Sequence, residues 1–236
     1  MRKDRILFTS EGKPMSPDAI RYEIGCFRDA YMDATHEIIQ DSKELDKKGE
    51  AFIKCTSRLL SSFGMTRSGP FKKGVNKEEK LLDCWSKVGS SIIEIKYSIF
   101  QSGLSRNRLL LELDNHSRED LIEKIWVVFK RLLPLTMGGK AYGLVGASKI
   151  LFAVLPEIAL PIDNSQWLQI FRTVDFGDVI KWMASDIQHW ESSSGEKLNE
   201  MDNSGRLTTL PSVYNIMAMA ARPKKTKGKD DLLISS

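Results

Sequence analysis

Cysteine is scarce in this chain. Cys26, Cys55 and Cys84 stand alone, with no CxxC pair. Neither a metal cluster built on local cysteine pairs nor a disulfide scaffold has support, and the pattern fits a reducing cytoplasm. Histidine is as sparse: His36, His116 and His189 form no HxxxH or HExxH spacing, so neither a metal nor another cofactor is expected. The GxSxG elbow, the P-loop and the dinucleotide fingerprint are missing. No apolar run approaches the roughly eighteen residues that would cross a membrane. The opening "MRKDRILFTSEGKP" lacks the apolar core of a signal peptide. Neither sign of charge dominates: 35 basic residues face 31 acidic ones, a net +4, which permits a nucleic-acid partner without requiring one. Strand signals are few and internal repeats are absent, which leaves an all-α class.

What is present is enough to fold. The chain has 236 residues, 42% of them hydrophobic, ample for a core. Residues 1–15 form a polar arm whose "RILF" patch suits a strand or an extended segment. Ser16 caps a helix that starts at Pro17 and is expected to run to about Gln40, with Ile20, Ile24, Phe27, Tyr31 and Ala34 on one face. A second helix is expected from about Ser42 to Phe63. The stretch 64–77 reads as a glycine-rich basic loop. Leu81, Trp85, Val88, Ile92, Ile95 and Ile99 predict a helix over about 77–102. Another is capped by Ser117 and ended by Pro134. Short helices are expected near 147–155, 164–172, 176–192 and 210–221. The tail 223–236, basic and then acidic, has little to bury and is expected to stay disordered.

The stretch "GLVGASKILFAVLPEIALPIDNSQW", residues 143–167, concentrates unusual residues. Gly138, Gly139, Gly143 and Gly146 fall within nine positions and directly precede a helix. Glycine tolerates positive φ and close backbone approach. A helix start with open amides receives anions. The same glycines equally suit a tight turn that only lets two helices pack. Asp163 comes after an anchored "LPI" and could act as a catalytic carboxylate, or could simply cap the next helix, as could Asn164.

A glycine-bearing hairpin, a helix with small residues such as Ala147 on its packing side, and a P-x-x-x-x-P-apolar-D loop together resemble the helix–hairpin–helix DNA glycosylase superfamily. Gly143 and Asp163 are twenty residues apart, similar to the family's separation. The resemblance covers about thirty residues directly. It implies a two-lobed helical domain over 16–222, in which hairpin amides hold a DNA phosphate and Asp163 assists cleavage of the bond between base and sugar. The hairpin "KAYGLVG" departs from the family's proline–glycine–apolar–glycine order. Val145 stands where lyase members carry a nucleophilic lysine, and the iron–sulfur cysteines of some members are missing. The resemblance therefore points to a monofunctional enzyme without lyase chemistry.

That chemistry suits the residue types. Losing a base leaves positive charge on the sugar, which a nearby carboxylate stabilises or which it attacks through an activated water. Gly143, Val145 and Gly146, with Lys140 and Lys149, are the expected phosphate contacts. The base must leave the stack and be held between rings, so Tyr142, Trp167 and Trp85 are pocket candidates, with Trp126 and Trp182 behind them. Phe71, between Lys72, Lys73 and Arg67, could wedge into the duplex. A tryptophan at helical spacing is more often core, and a basic loop is by default solvated surface. The enzymatic reading expects Asp163 to border a cleft, a double-stranded DNA partner with a flipped base, a monomer and a cytoplasmic location. A non-catalytic helical DNA-binding or interaction module is the alternative.

Overall fold

The structure is a computed structural model, and it describes residues 5–43, 48–63, 70–72, 74–137 and 143–222. In chain order it contains α1 (Pro17–Gly25), α2 (Asp29–Asp41), α3 (Glu50–Ser62), α4 (Lys77–Gln101), α5 (Leu109–Glu112), α6 (Asn115–Thr136) and α7 (Leu144–Val154). A π-helix (Gln166–Phe171), α8 (Phe176–Ser194), a 3₁₀ turn (Leu198–Glu200) and α9 (Leu210–Ala220) complete it. The protein is all-α. Among the described residues the only β feature is a single bridge between Phe8 and Pro14, and no helix is long and apolar enough to cross a membrane.

Local chemistry sets the boundaries. Ser16 accepts the Ala19 N–H at 3.2 Å and Pro17 opens α1, as its sequence predicts. The expected continuous first helix instead breaks at Gly25. Glycine is among the weakest helix formers, and Arg28 is extended before α2 starts at Asp29. The second helix begins at Glu50 rather than near Ser42, because Ser42 closes α2. The cap of α6 is Asp114, whose Oδ1 accepts the Ser117 N–H at 3.0 Å. Asp114 thus takes the role expected of Ser117, one turn earlier. Pro134 lies inside α6 and does not end it at once; its missing N–H costs one bond to the carbonyl four residues earlier, and the helix ends two residues later at Thr136. The tail 223–236 lies outside the described residues.

Helix α7 sits in the middle. Gly146 through Val154 are all buried, as expected for a helix that is apolar on every side. It packs against α3 and α6, while α4 packs on α6 and α1 on α9. The buried apolar side chains form one connected core. The N-terminal arm is tied into it: the Ile6 N–H and the Tyr214 hydroxyl both donate to Asp186 Oδ2, at 2.8 and 2.9 Å.

Behind α7, the fully buried Glu157 accepts Lys96 Nζ and Arg106 Nε on its Oε1, both at 2.7 Å. Arg106 also reaches Ser42 at the end of α2. Burial pushes the Glu157 carboxyl up, but the two cations outweigh it and hold it below the usual carboxylate range. This hub fixes the loop between α7 and Asp163.

Candidate functional site

The start of α7 packs closely on the end of α6. Gly143 has φ +76°, and a Cβ there would collide with the Leu133 carbonyl oxygen. A Cβ on Gly146 would meet Thr136 Cβ at 2.7 Å. The Thr136 hydroxyl donates to the Gly143 carbonyl at 2.8 Å. Both glycines therefore have a packing role. Gly143 caps α7 without a side-chain hydrogen bond, so a polar ligand could still meet the helix start. Val145 is half-buried against the core. Gly138, Gly139, Lys140 and Tyr142 lie outside the described residues, as do Arg67 and Lys73.

Lys149 differs from its expected role. It is 3% exposed, too enclosed to be a surface phosphate contact. Its ammonium lies 4.8 Å from the centre of the Phe63 ring, a cation–π arrangement. Desolvation pulls its pKa down to about 8, against the opposing charge of Asp163. Next to it, buried Ser148 accepts the Ile162 N–H at 3.1 Å and lies 3.2 Å from the Ile162 carbonyl. One hydroxyl thus pins the backbone before Asp163 onto α7.

Asp163 caps the helical segment that opens at Asn164 and runs on into the π-helix. Its N–H donates to Gln166 Oε1 at 2.7 Å, and its Oδ1 accepts the Gln166 N–H at 2.8 Å. This is a reciprocal capping box with aspartate and glutamine. The other oxygen, Oδ2, accepts Arg222 Nη1 at 2.5 Å, and the side chain is 29% exposed. Gln166 continues inward, donating to Asn215 Oδ1 at 3.1 Å. Asn215 in turn donates to the Tyr31 hydroxyl. Burial pushes the Tyr31 phenol well above its ordinary pKa. Phe27 and Phe63 flank the Tyr31 ring, with centroids 4.8 and 4.7 Å away.

The π-helix closes on Arg172 in the left-handed region at φ +52°. Arg172 is the only non-glycine with positive φ among the described residues. π-Turns and strained backbone cluster at functional sites.

No protein-family model, curated protein or solved structure matches the chain.

Trp167, Trp85 and Phe71 lie in the core. Trp167 is buried against Phe129 and Phe176, at 6.0 and 6.2 Å between centroids. Trp85 is buried beside Phe52 and fills the space left by Gly49 and Gly89. Phe71 is fully buried and projects no wedge. Trp126 and Trp182 are half-buried on the same core. None of Trp167, Trp85 and Phe71 offers a face to a ligand in this structure. The rings closest to the polar cluster are instead Phe63 and Tyr31, from the end of α3 and from α2. Helical spacing marks Tyr31 as inward-facing, but nothing in the sequence links either ring to Asp163.

Grooves of about 200 and 260 Å³ run between α4 and α6 and share Asp120 and Lys124. Neither reaches Asp163 or Lys149. Their shared charges are an exposed i,i+4 pair 2.9 Å apart, worth a few tenths of a kcal/mol, about the usual surface value. The cluster around Asp163 has the more perturbed chemistry. Among the described residues no three potential metal ligands converge.

Proposed function

We propose that this protein is a DNA N-glycosylase-like enzyme that hydrolyses the bond between a damaged or modified base and its sugar, with Asp163 as the catalytic carboxylate. The observation that carries the reading is the division of labour between its oxygens. Oδ1 is fixed by the helix cap, while Oδ2 takes no part in the cap and pairs with a cation, Arg222. A carboxylate oriented through one oxygen can turn the other toward a positive centre, which is what stabilising positive charge on a sugar requires. The π-helix and the strained Arg172 support the same location.

The enzyme would act as a monomer on double-stranded DNA in the cytoplasm or nucleoid, in repair or in defence against modified foreign DNA. Val145 occupies the lyase position, and Lys149, one turn further, is enclosed. The reading therefore stays hydrolytic.

The test is base release from a panel of modified duplexes. Wild type is expected to free at least one base, and Asp163→Asn to lose about 10²–10⁴-fold in rate, the usual range for a group acting on the reacting atoms. Full activity in Asp163→Asn would sink the assignment. Binding without release from any duplex would favour the non-catalytic module. A borohydride-trapped covalent complex would overturn the hydrolytic reading.

A further inference from the structure

We propose that Arg222 is a DNA-phosphate contact that rests on Asp163 in the free protein and leaves it when DNA binds. The inference rests on the reading of Asp163 as the catalytic carboxylate. Its starting point is that the two functions compete for one atom. Oδ1 is committed to the Gln166 N–H. The other oxygen, the one available to a sugar, is the one that Arg222 Nη1 holds at 2.5 Å.

The guanidinium is placed to move. Arg222 lies just past the end of α9, and its side chain is 37% exposed. Among the described residues, the other hydrogen bond of the guanidinium is from Nε to the Met219 carbonyl, at 3.0 Å within its own helix end. Swinging away therefore breaks no link to the core. A half-exposed ion pair is weak, and a phosphodiester offers the same fork of donors a second anion. Arg222 also begins a basic run, with Lys224, Lys225, Lys227 and Lys229 next in the sequence. Free protein would then keep its carboxylate neutralised, and bound DNA would release it at the place where it is needed.

Binding of the full chain to an unmodified duplex of about twenty base pairs tests this without any cleavage. Arg222→Gln should flatten the dependence of log affinity on log salt by about 0.9, the loss of one phosphate contact, and Arg222→Lys should restore it. Asp163→Asn frees the guanidinium and should tighten binding about two- to fivefold. In the Arg222→Gln background that gain should largely vanish, because no latch remains to be released.

Equal tightening in both backgrounds would mean simple charge repulsion and would overturn the proposal. So would an unchanged salt slope in Arg222→Gln. These outcomes separate the two ideas. Base release by wild type with no Arg222 effect on binding removes the latch and leaves the glycosylase. The predicted binding cycle without base release keeps the latch on a DNA-binding module. A protein that does not bind the duplex refutes both.

Discussion

Replacing Lys149 with methionine removes a buried ammonium while keeping an unbranched side chain of similar length. Burial lowers the Lys149 pKa from 10.5 to about 8. Each pKa unit corresponds to about 1.36 kcal/mol, so holding the charged form inside costs roughly 3 kcal/mol near neutral pH. Below pH 8 both folded and unfolded chains carry the proton, and the cost is fully present. Between about 8 and 10.5 the folded chain gives up its proton first, so the unfolded state binds more protons and stability rises with pH. Above 10.5 both states are neutral and the cost is gone. The difference between Lys149→Met and wild type isolates this group from other titrations. Urea unfolding at a series of pH values should show the variant more stable by up to about 3 kcal/mol at pH 7, with the gap closing by about pH 10.5. A gap that stays flat with pH, or a variant less stable at neutral pH, would refute a buried, strained ammonium. A stabilised variant that also loses base release would indicate that the lysine is kept at a cost in stability for its effect on the site.

Other outcomes come from the same geometry. Gly143→Ala forces a Cβ against the Leu133 carbonyl at positive φ, and should cost about 2 kcal/mol or more in urea midpoint measurements. Glu157→Gln leaves Lys96 and Arg106 without their shared anion, and should cost about 3 kcal/mol at neutral pH. Because the folded Glu157 carboxyl is held low, its stabilisation is present above about pH 4.5 and lost as the pH falls through its folded value. The difference between wild type and Glu157→Gln should therefore shrink in acid unfolding curves.

Local patterns make much of the fold legible. The apolar spacing of Leu81 to Ile99 predicts α4 as observed, and Asp163 is recognisable as the start of a helical segment. The break at Gly25–Arg28 is harder to see, because the apolar period of α1 and α2 runs on across it. The Lys149 environment does leave a signal: "GASKILFAV" surrounds the lysine with apolar or small residues at every helical neighbour, so its stem has no wet face to reach. The rest of the cluster is not legible. Asn215 meets Gln166, Arg222 meets Asp163 and Tyr31 meets Asn215 across separations of 49, 59 and 184 residues, and no local period carries such information. The tryptophans mislead for the converse reason: large rings at helical spacing fill cores far more often than they line sites.

Glu157 has a bearing on how the chain is assembled. Its anion is 61 residues beyond Lys96 and 51 beyond Arg106. The Lys96 ammonium is nearly enclosed and the Arg106 guanidinium partly so. Until the polypeptide has been made past residue 157, closing the earlier helices would bury the Lys96 charge with nothing to neutralise it. The N-terminal helices are thus kept from completing their packing early. On the ribosome this chain should remain open until the α7 region emerges and then close in one cooperative step. A fragment ending before Glu157 is expected to remain expanded and vulnerable to proteolysis rather than to form a stable half-molecule.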